Sequence, residues 1–206
     1  MILRGPNFGN SLMRAMPVGL CLLLASGLNA QSPQPTEHAP NGWSLAGNNP
    51  TNYRTGVDPA DQRGGLPSAY LASLGSGKGF GTLMQSISAA DYAGKRIRLR
   101  AWVKSEDVGD WAGMWLRVDK ERGTLAFDNM QDRGIKGTQT WNRYDVVLDV
   151  PADATSIHFG VLLTGTGEVW MNDVSLEVVD MNTPTTRTNL LPRTLPQHPI
   201  NLGFND

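Results

Sequence analysis

From Arg96 to Lys104 apolar and polar positions alternate, with Ile97, Leu99, Ala101 and Val103 on one side and Arg96, Arg98, Arg100, Trp102 and Lys104 on the other. Successive side chains of an extended chain point to opposite faces, so this pattern predicts an antiparallel strand with one face in a core. The rule repeats from Trp111 to Asp119, where Ala112, Met114, Leu116 and Val118 oppose Trp111, Gly113, Trp115, Arg117 and Asp119. Tyr144, Val146, Leu148 and Val150 likewise oppose Arg143, Asp145, Val147 and Asp149, and Ile157, Phe159, Val161 and Leu163 oppose His158, Gly160, Leu162 and Thr164. Short apolar runs bounded by turn residues predict further strands at Gly42–Gly47, Ser68–Leu74, Gly81–Ser88, Thr124–Asn129 and Glu168–Val179. One short helical turn is expected at Ala89–Tyr92. About nine strands with long connections predict an all-β fold, an antiparallel jelly-roll β-sandwich.

The ends follow other rules. Arg4 and Arg14 precede the apolar run Val18–Ala25, and small or polar residues follow up to Gln31. A positive start, a short apolar stretch and small residues before a break predict a signal peptide over residues 1–30, with cleavage after Ala30 or after Gly27. The run is short of the ~20 apolar residues that span a bilayer, so no membrane span is expected and the mature chain is read as exported, periplasmic or extracellular. Cys21 lies within this segment, so the mature protein has no disulfide and depends on its core. Residues 31–41 hold three prolines and read as a linker. Residues 42–180 form the jelly-roll domain. Residues 181–206, rich in Pro and Thr, form a tail that is either disordered or laid over the surface as an added strand, because proline lacks the donor a ladder needs.

Composition narrows the function classes. Of 206 residues 40% are hydrophobic and 18% charged, which is globular rather than disordered. Lys+Arg 18 against Asp+Glu 19 gives a net charge of -1, which argues against a nucleic-acid partner. The three histidines, His38, His158 and His198, are scattered without metal-ligand spacing, and no Gly-x-Ser-x-Gly elbow occurs. Glu106 with Asp107 and Asp128 with Asp132 are the carboxylate pairs a small hydrolase would use, but neighbouring loop carboxylates are usually solvated. A non-catalytic binding module is expected.

Three stretches resemble a known family. Val169 to Leu176 (VWMNDVSL) is similar to the closing strand of carbohydrate-binding-module, galactose-binding-like jelly rolls attached to xylanases and cellulases. The run from Tyr92 to Lys104 resembles their central strand, and Trp141 and Tyr144 followed by Val146 to Leu148 resemble the next. Related modules also occur beside bacterial esterase-like and regulatory domains. The resemblance covers about residues 42–179 and implies a carbohydrate or glycan ligand. It also implies a structural calcium near the first and last strands, here at Asp173 with Asn172. Such modules open with an Asn-Leu-x-x-Gly-x-Phe-Glu strand ahead of Gly-Trp. Gly42-Trp43 is present without that opening, while a similar string stands at Asn201–Asp206.

If the apolar set of each strand faces the core, Arg98, Arg100, Trp102, Trp111, Trp115, Arg117 and His158 point outward, and Asp128, Asn129 and Gln131 follow at a loop near the sheet edge. Flat aromatic faces for stacking on sugar rings and polar forks for hydroxyls make these ten residues the candidate ligand-binding face. The same pattern also fits a covered face, with the tryptophans packed and the arginines paired to Asp145 and Asp149, in a protein-docking or accessory module.

Overall fold

Branched and aromatic residues at every second position, interrupted by glycine turns, give the chain nine strands in a computed structural model that describes residues 1–2, 34–75 and 78–186. They are β1 (Ser44–Gly47), β2 (Tyr53–Arg63), β3 (Leu66–Ser73), β4 (Phe80–Ser88), β5 (Arg96–Lys120), β6 (Gly123–Asp128), β7 (Ile135–Asp149), β8 (Ser156–Thr164) and β9 (Glu168–Val179). There is no α-helix among the described residues, only 3-10 turns at Pro50–Asn52 and Gln131–Arg133. No helix there is long and apolar enough to cross a membrane. All nine strands belong to a unit spanning Ser32–Asp206.

One strand organises the sandwich. The two segments expected at 96–104 and 111–119 are the halves of β5, which is 25 residues long. Its first half pairs with β7 and β9, and its second half with β8 and β6, so the strand passes from one layer into the other. Register shifts against β7 between Val103 and Ala112, with Asp107 at φ 50, bend it there. A bulge puts extra residues on one strand and turns it sharply, which lets a strand change sheets without a loop. The first layer runs β2-β3-β9-β5-β7 and the second β1-β4-β8-β5-β6, all antiparallel.

The core between the layers follows the alternation. Ile97, Leu99, Ala101 and Val103 are at most 1% exposed, and Ala112, Met114, Leu116 and Val118 are fully buried, as are Val146, Ile157, Val161 and Leu163. Burying a side chain of that size contributes about 1.5–3 kcal/mol before ordering costs, so these stripes carry the fold. β2 was not expected: Gly56 and Pro59 interrupt it, and it lies at a layer edge where proline is tolerated.

The Pro-rich ends serve that first layer. Thr36 donates its N–H to Val57 O (2.8 Å) and accepts from Val57 N at its hydroxyl (2.8 Å), on the outer edge of β2. Thr186 does the same to Val147 on the outer edge of β7, at 3.0 and 2.8 Å. Each threonine satisfies one donor and one acceptor that an exposed edge would otherwise offer to another chain. Part of the expected linker is thus docked, and the described start of the tail meets β7 at Thr186 without forming a strand. The expected signal segment, apart from Met1 and Ile2, and the Asn201–Asp206 string lie outside the described residues.

The N-terminal clamp needs a glycine beneath it. A Cβ at Gly56 would stand 1.8 Å from Thr36 O and 2.8 Å from the Tyr70 ring. Gly56→Ala is therefore expected to expel the 34–41 segment, seen as a gain of proteolytic cleavage before Gly42 with the core still folded. An unchanged cleavage pattern would show that the clamp does not hold this end.

Candidate functional site

Because β5 changes layers, its outward residues end on opposite surfaces of the molecule. Arg98, Arg100 and Trp102 lie on the outer face of the first layer; Trp111, Trp115 and Arg117 lie on that of the second, with His158. The expected single face of ten residues is two faces, and they differ in kind.

The first face is covered and paired. Arg96 holds Asp149 through two hydrogen bonds and gives Nη1 to Met181 O and Thr183 O. Arg98 donates twice to Glu177, and Arg100 makes two 2.7 Å bonds to Asp145. These bonds favour the charged forms, so the Asp145 carboxyl is lowered and the Arg100 guanidinium raised from their usual pKa values. The end of β2 folds over this face. Arg63 sits 3.4 Å above the Trp102 ring, Asp61 pairs with Lys104, and Trp170 donates its indole N–H to Asp58. Arg98, Arg100 and Trp102 are therefore a structural lattice, the covered arrangement that the pairing of Arg100 with Asp145 and of Arg96 with Asp149 implies.

The second face is open. Its outward residues form cross-strand rows from β4 through β8 to β5: Phe80–Thr164–Trp111, Thr82–Leu162–Gly113, Met84–Gly160–Trp115 and Ser86–His158–Arg117, the last continued by Phe127 of β6. The first three rows, apart from Gly113 and Gly160, and Arg117 bound a groove of about 410 Å³, closed at its sides by Ala46, Gly47, Phe127 and Asn129. Trp115 is its floor. Its ring lies over β8 towards β4 and donates its N–H to Thr82 Oγ1 at 2.7 Å. Thr82 passes the bond on to Val161 O at 2.9 Å. Gly160, the β8 residue beside Trp115 in its own row, puts no side chain in the way of the ring.

The loop after β6 forms a wall, and Asp128 builds it rather than meeting a ligand. Asp128 is 6% exposed and accepts from Met130 N, Arg133 Nη2 and Thr186 Oγ1. Those bonds hold Met130 in a left-handed conformation (φ 62), with its side chain buried. Asn129 lines the groove, whereas Gln131 sits exposed on the 3-10 turn and does not line it. Phe80, Met84, Phe127 and Leu162 line the groove and were not expected. An outward-facing leucine in the His158–Thr164 alternation was the available signal for Leu162.

His158 is fixed beside the groove end. Ser86 Oγ lies 2.7 Å from its Nδ1, Ser156 Oγ 3.0 Å from Nε2, and Asp119 Oδ2 3.4 Å from Nε2. Burial and the neighbouring Arg117 charge lower its pKa against the pull of Asp119, which favours the neutral imidazole. The expected hydrolase pairs do not form a site: Asp128 is bonded into the loop, and Glu106 and Asp107 are exposed at the β5 bend.

The calcium expected by resemblance does not fit its two residues. Asn172 is buried, with Nδ2 donating to Leu66 O, Pro67 O and Ser68 Oγ. Asp173 is exposed at the β9 bulge with φ 52. The two side chains alone supply fewer oxygens than the six to eight that calcium takes, and among the described residues no three His, Cys, Asp or Glu side chains gather to hold a metal ion.

No family model matches the sequence. The chain is 41% identical over 171 residues to an uncharacterized HTH-type transcriptional regulator, YbfP, of Bacillus subtilis (strain 168); the match takes in 80% of this chain. It spans only 57% of that relative's length. Among solved structures the chain is similar to the xylan-binding domain of a CBM 22 module, with a TM-score of 0.52 at 12% identity, over 69% of this chain and 92% of that one. It is also similar to the enzymatically active domain of bacteriophage CBA120 tailspike protein 4, with a TM-score of 0.51 at 17% identity, over 68% of this chain and 20% of the other. At these identities the likeness is one of fold: the domain is an all-β jelly-roll sandwich.

Proposed function

We propose that this domain is a non-catalytic binding module that holds a carbohydrate in the groove of the second layer. The observation that carries the reading is the open groove itself, floored by Trp115 and flanked by Trp111, Phe80 and Phe127, on a molecule whose other face is closed by ion pairs. Aromatic faces stack on the apolar faces of sugar rings, and Asn129 and Thr164 are neutral groups at the rim that suit hydroxyls. The likeness to a xylan-binding domain supports the same reading.

Titrating the protein with soluble polysaccharides, xylan first, while following tryptophan fluorescence tests this. Trp111→Ala, at the half-buried flank, is expected to weaken binding about tenfold or more, the cost of losing one good stacking contact. Trp102→Ala, under Arg63 on the opposite surface, is expected to leave affinity within about twofold. Loss of binding in Trp102→Ala with none in Trp111→Ala would move the site to the wrong face. Repeating the titration with and without calcium tests the metal expectation directly.

The regulator relative favours a second reading, an accessory module whose ligand occupancy is relayed to a partner protein. Residues 1–30 are proposed to be a removable export signal. Amino-terminal sequencing of the mature protein would give a start at or near Gln31 if so, and at Met1 or Ile2 if not.

A further inference from the structure

Resting on the carbohydrate reading of the groove, we propose that its ligand is an acidic glycan, with Arg117 receiving the carboxylate of a uronate-type sugar. The groove carries one formal charge and it is positive: Arg117 stands among apolar side chains and the neutral Thr82, Thr164 and Asn129, with no acidic residue in the lining. An arginine at the end of an apolar groove raises the local preference for anions, even with Asp119 behind it offsetting part of its charge.

The state of Arg117 sets it apart from its neighbours on the same strand. Arg96, Arg98 and Arg100 each make two hydrogen bonds to a carboxylate, and Arg133 is shared between Asp128 and Asp132. The Arg117 side chain makes no hydrogen bond among the described residues. Its Nε lies 2.9 Å from Asp119 Oδ2 but out of hydrogen-bonding alignment, and both Nε and Asp119 Oδ1 are buried without a hydrogen-bond partner. The side chain as a whole is 40% exposed, and among the described residues neither of its terminal amino groups makes a hydrogen bond. Asp119 thus holds the guanidinium from behind, and the remaining edge presents two parallel donors. That fork matches a carboxylate in a way a lysine would not. The neighbouring His158 is held by Ser86 and Ser156, and burial with the Arg117 charge disfavours its cationic form.

The test pairs oligogalacturonates and oligomannuronates with their methyl esters, which remove the charge and keep the ring, and runs xylan beside them. At least one acid is expected to bind about tenfold or more tighter than its ester. Arg117→Gln should cost the acid far more affinity than the ester, and Arg117→Lys should restore only part of the difference. If xylan or the esters bind through Trp111 and neither acid is preferred, the acidic-glycan inference is overturned while the carbohydrate groove stands. If no saccharide binds at all, both fall. Dextran sulfate binding as tightly as the acids, with inorganic sulfate as competitor, would replace carboxylate recognition by simple attraction of anions.

Discussion

Trp115→Ala is expected to cost about 3–5 kcal/mol of stability, the range for truncating a packed aromatic. Trp115 points outward from β5, yet it is 7% exposed, because its ring lies along the second layer and ends in the bond to Thr82. Removing it deletes the groove floor and leaves the Thr82 hydroxyl without its indole donor. Urea denaturation gives the cost, and fluorescence titration of the surviving folded fraction gives the binding. A midpoint within measurement error of the wild type would mean that the ring is not packed as described. A large loss does not turn the strand inside out, since the pairing of Trp115 with Gly160 and of Leu116 with Phe159 fixes which side each faces. Thr82→Val separates the contributions, being expected to lose about 0.5–1.5 kcal/mol for the hydrogen bond while the ring stays in place.

Gly160→Ala is the second large effect, expected near the upper end of the roughly 1–3 kcal/mol typical of overpacking. A Cβ there would stand 2.1 Å from Leu83 O and 2.9 Å from Met84 Cα, both backbone atoms of β4 that no rotamer change can move. Relief requires β4 to separate from β8, which also disturbs Thr82 and the far anchor of Trp115. Gly113→Ala is the control, since its nearest contacts are 3.0–3.4 Å and involve the loop at Asn129 and Met130, which can give. Equal stability of the two variants would show that β4 does not approach β8 as closely as described.

The strand pattern was legible because it is local. Ile97 to Val103, Ala112 to Val118, Val146 to Val150 and Ile157 to Leu163 each fill the core as their alternation predicts. β2 escaped notice because Tyr53–Arg63 has no clean alternation; its second half, around Pro59, covers the Arg/Trp face instead of filling the core. The stretch Ser105–Asp110, with three acids and a glycine, reads as a turn, and it is the bent middle of one long strand.

The candidate site was half legible for the same reason. Trp111, Trp115, Arg117 and Asn129 belong to the groove, with His158 beside it, while Arg98, Arg100 and Trp102 share their outward direction and nothing else. The period of two states which side of its own strand a residue occupies, and it states this from the sequence alone because it depends only on backbone geometry. Which layer the strand is in, what lies over that side, and which distant residues share the row depend on pairings between residues far apart in the chain. Trp102 and Trp115 differ in fate because β5 bends between layers and β2 folds over one surface only. Those are long-range contacts, and they were decided by the tertiary structure.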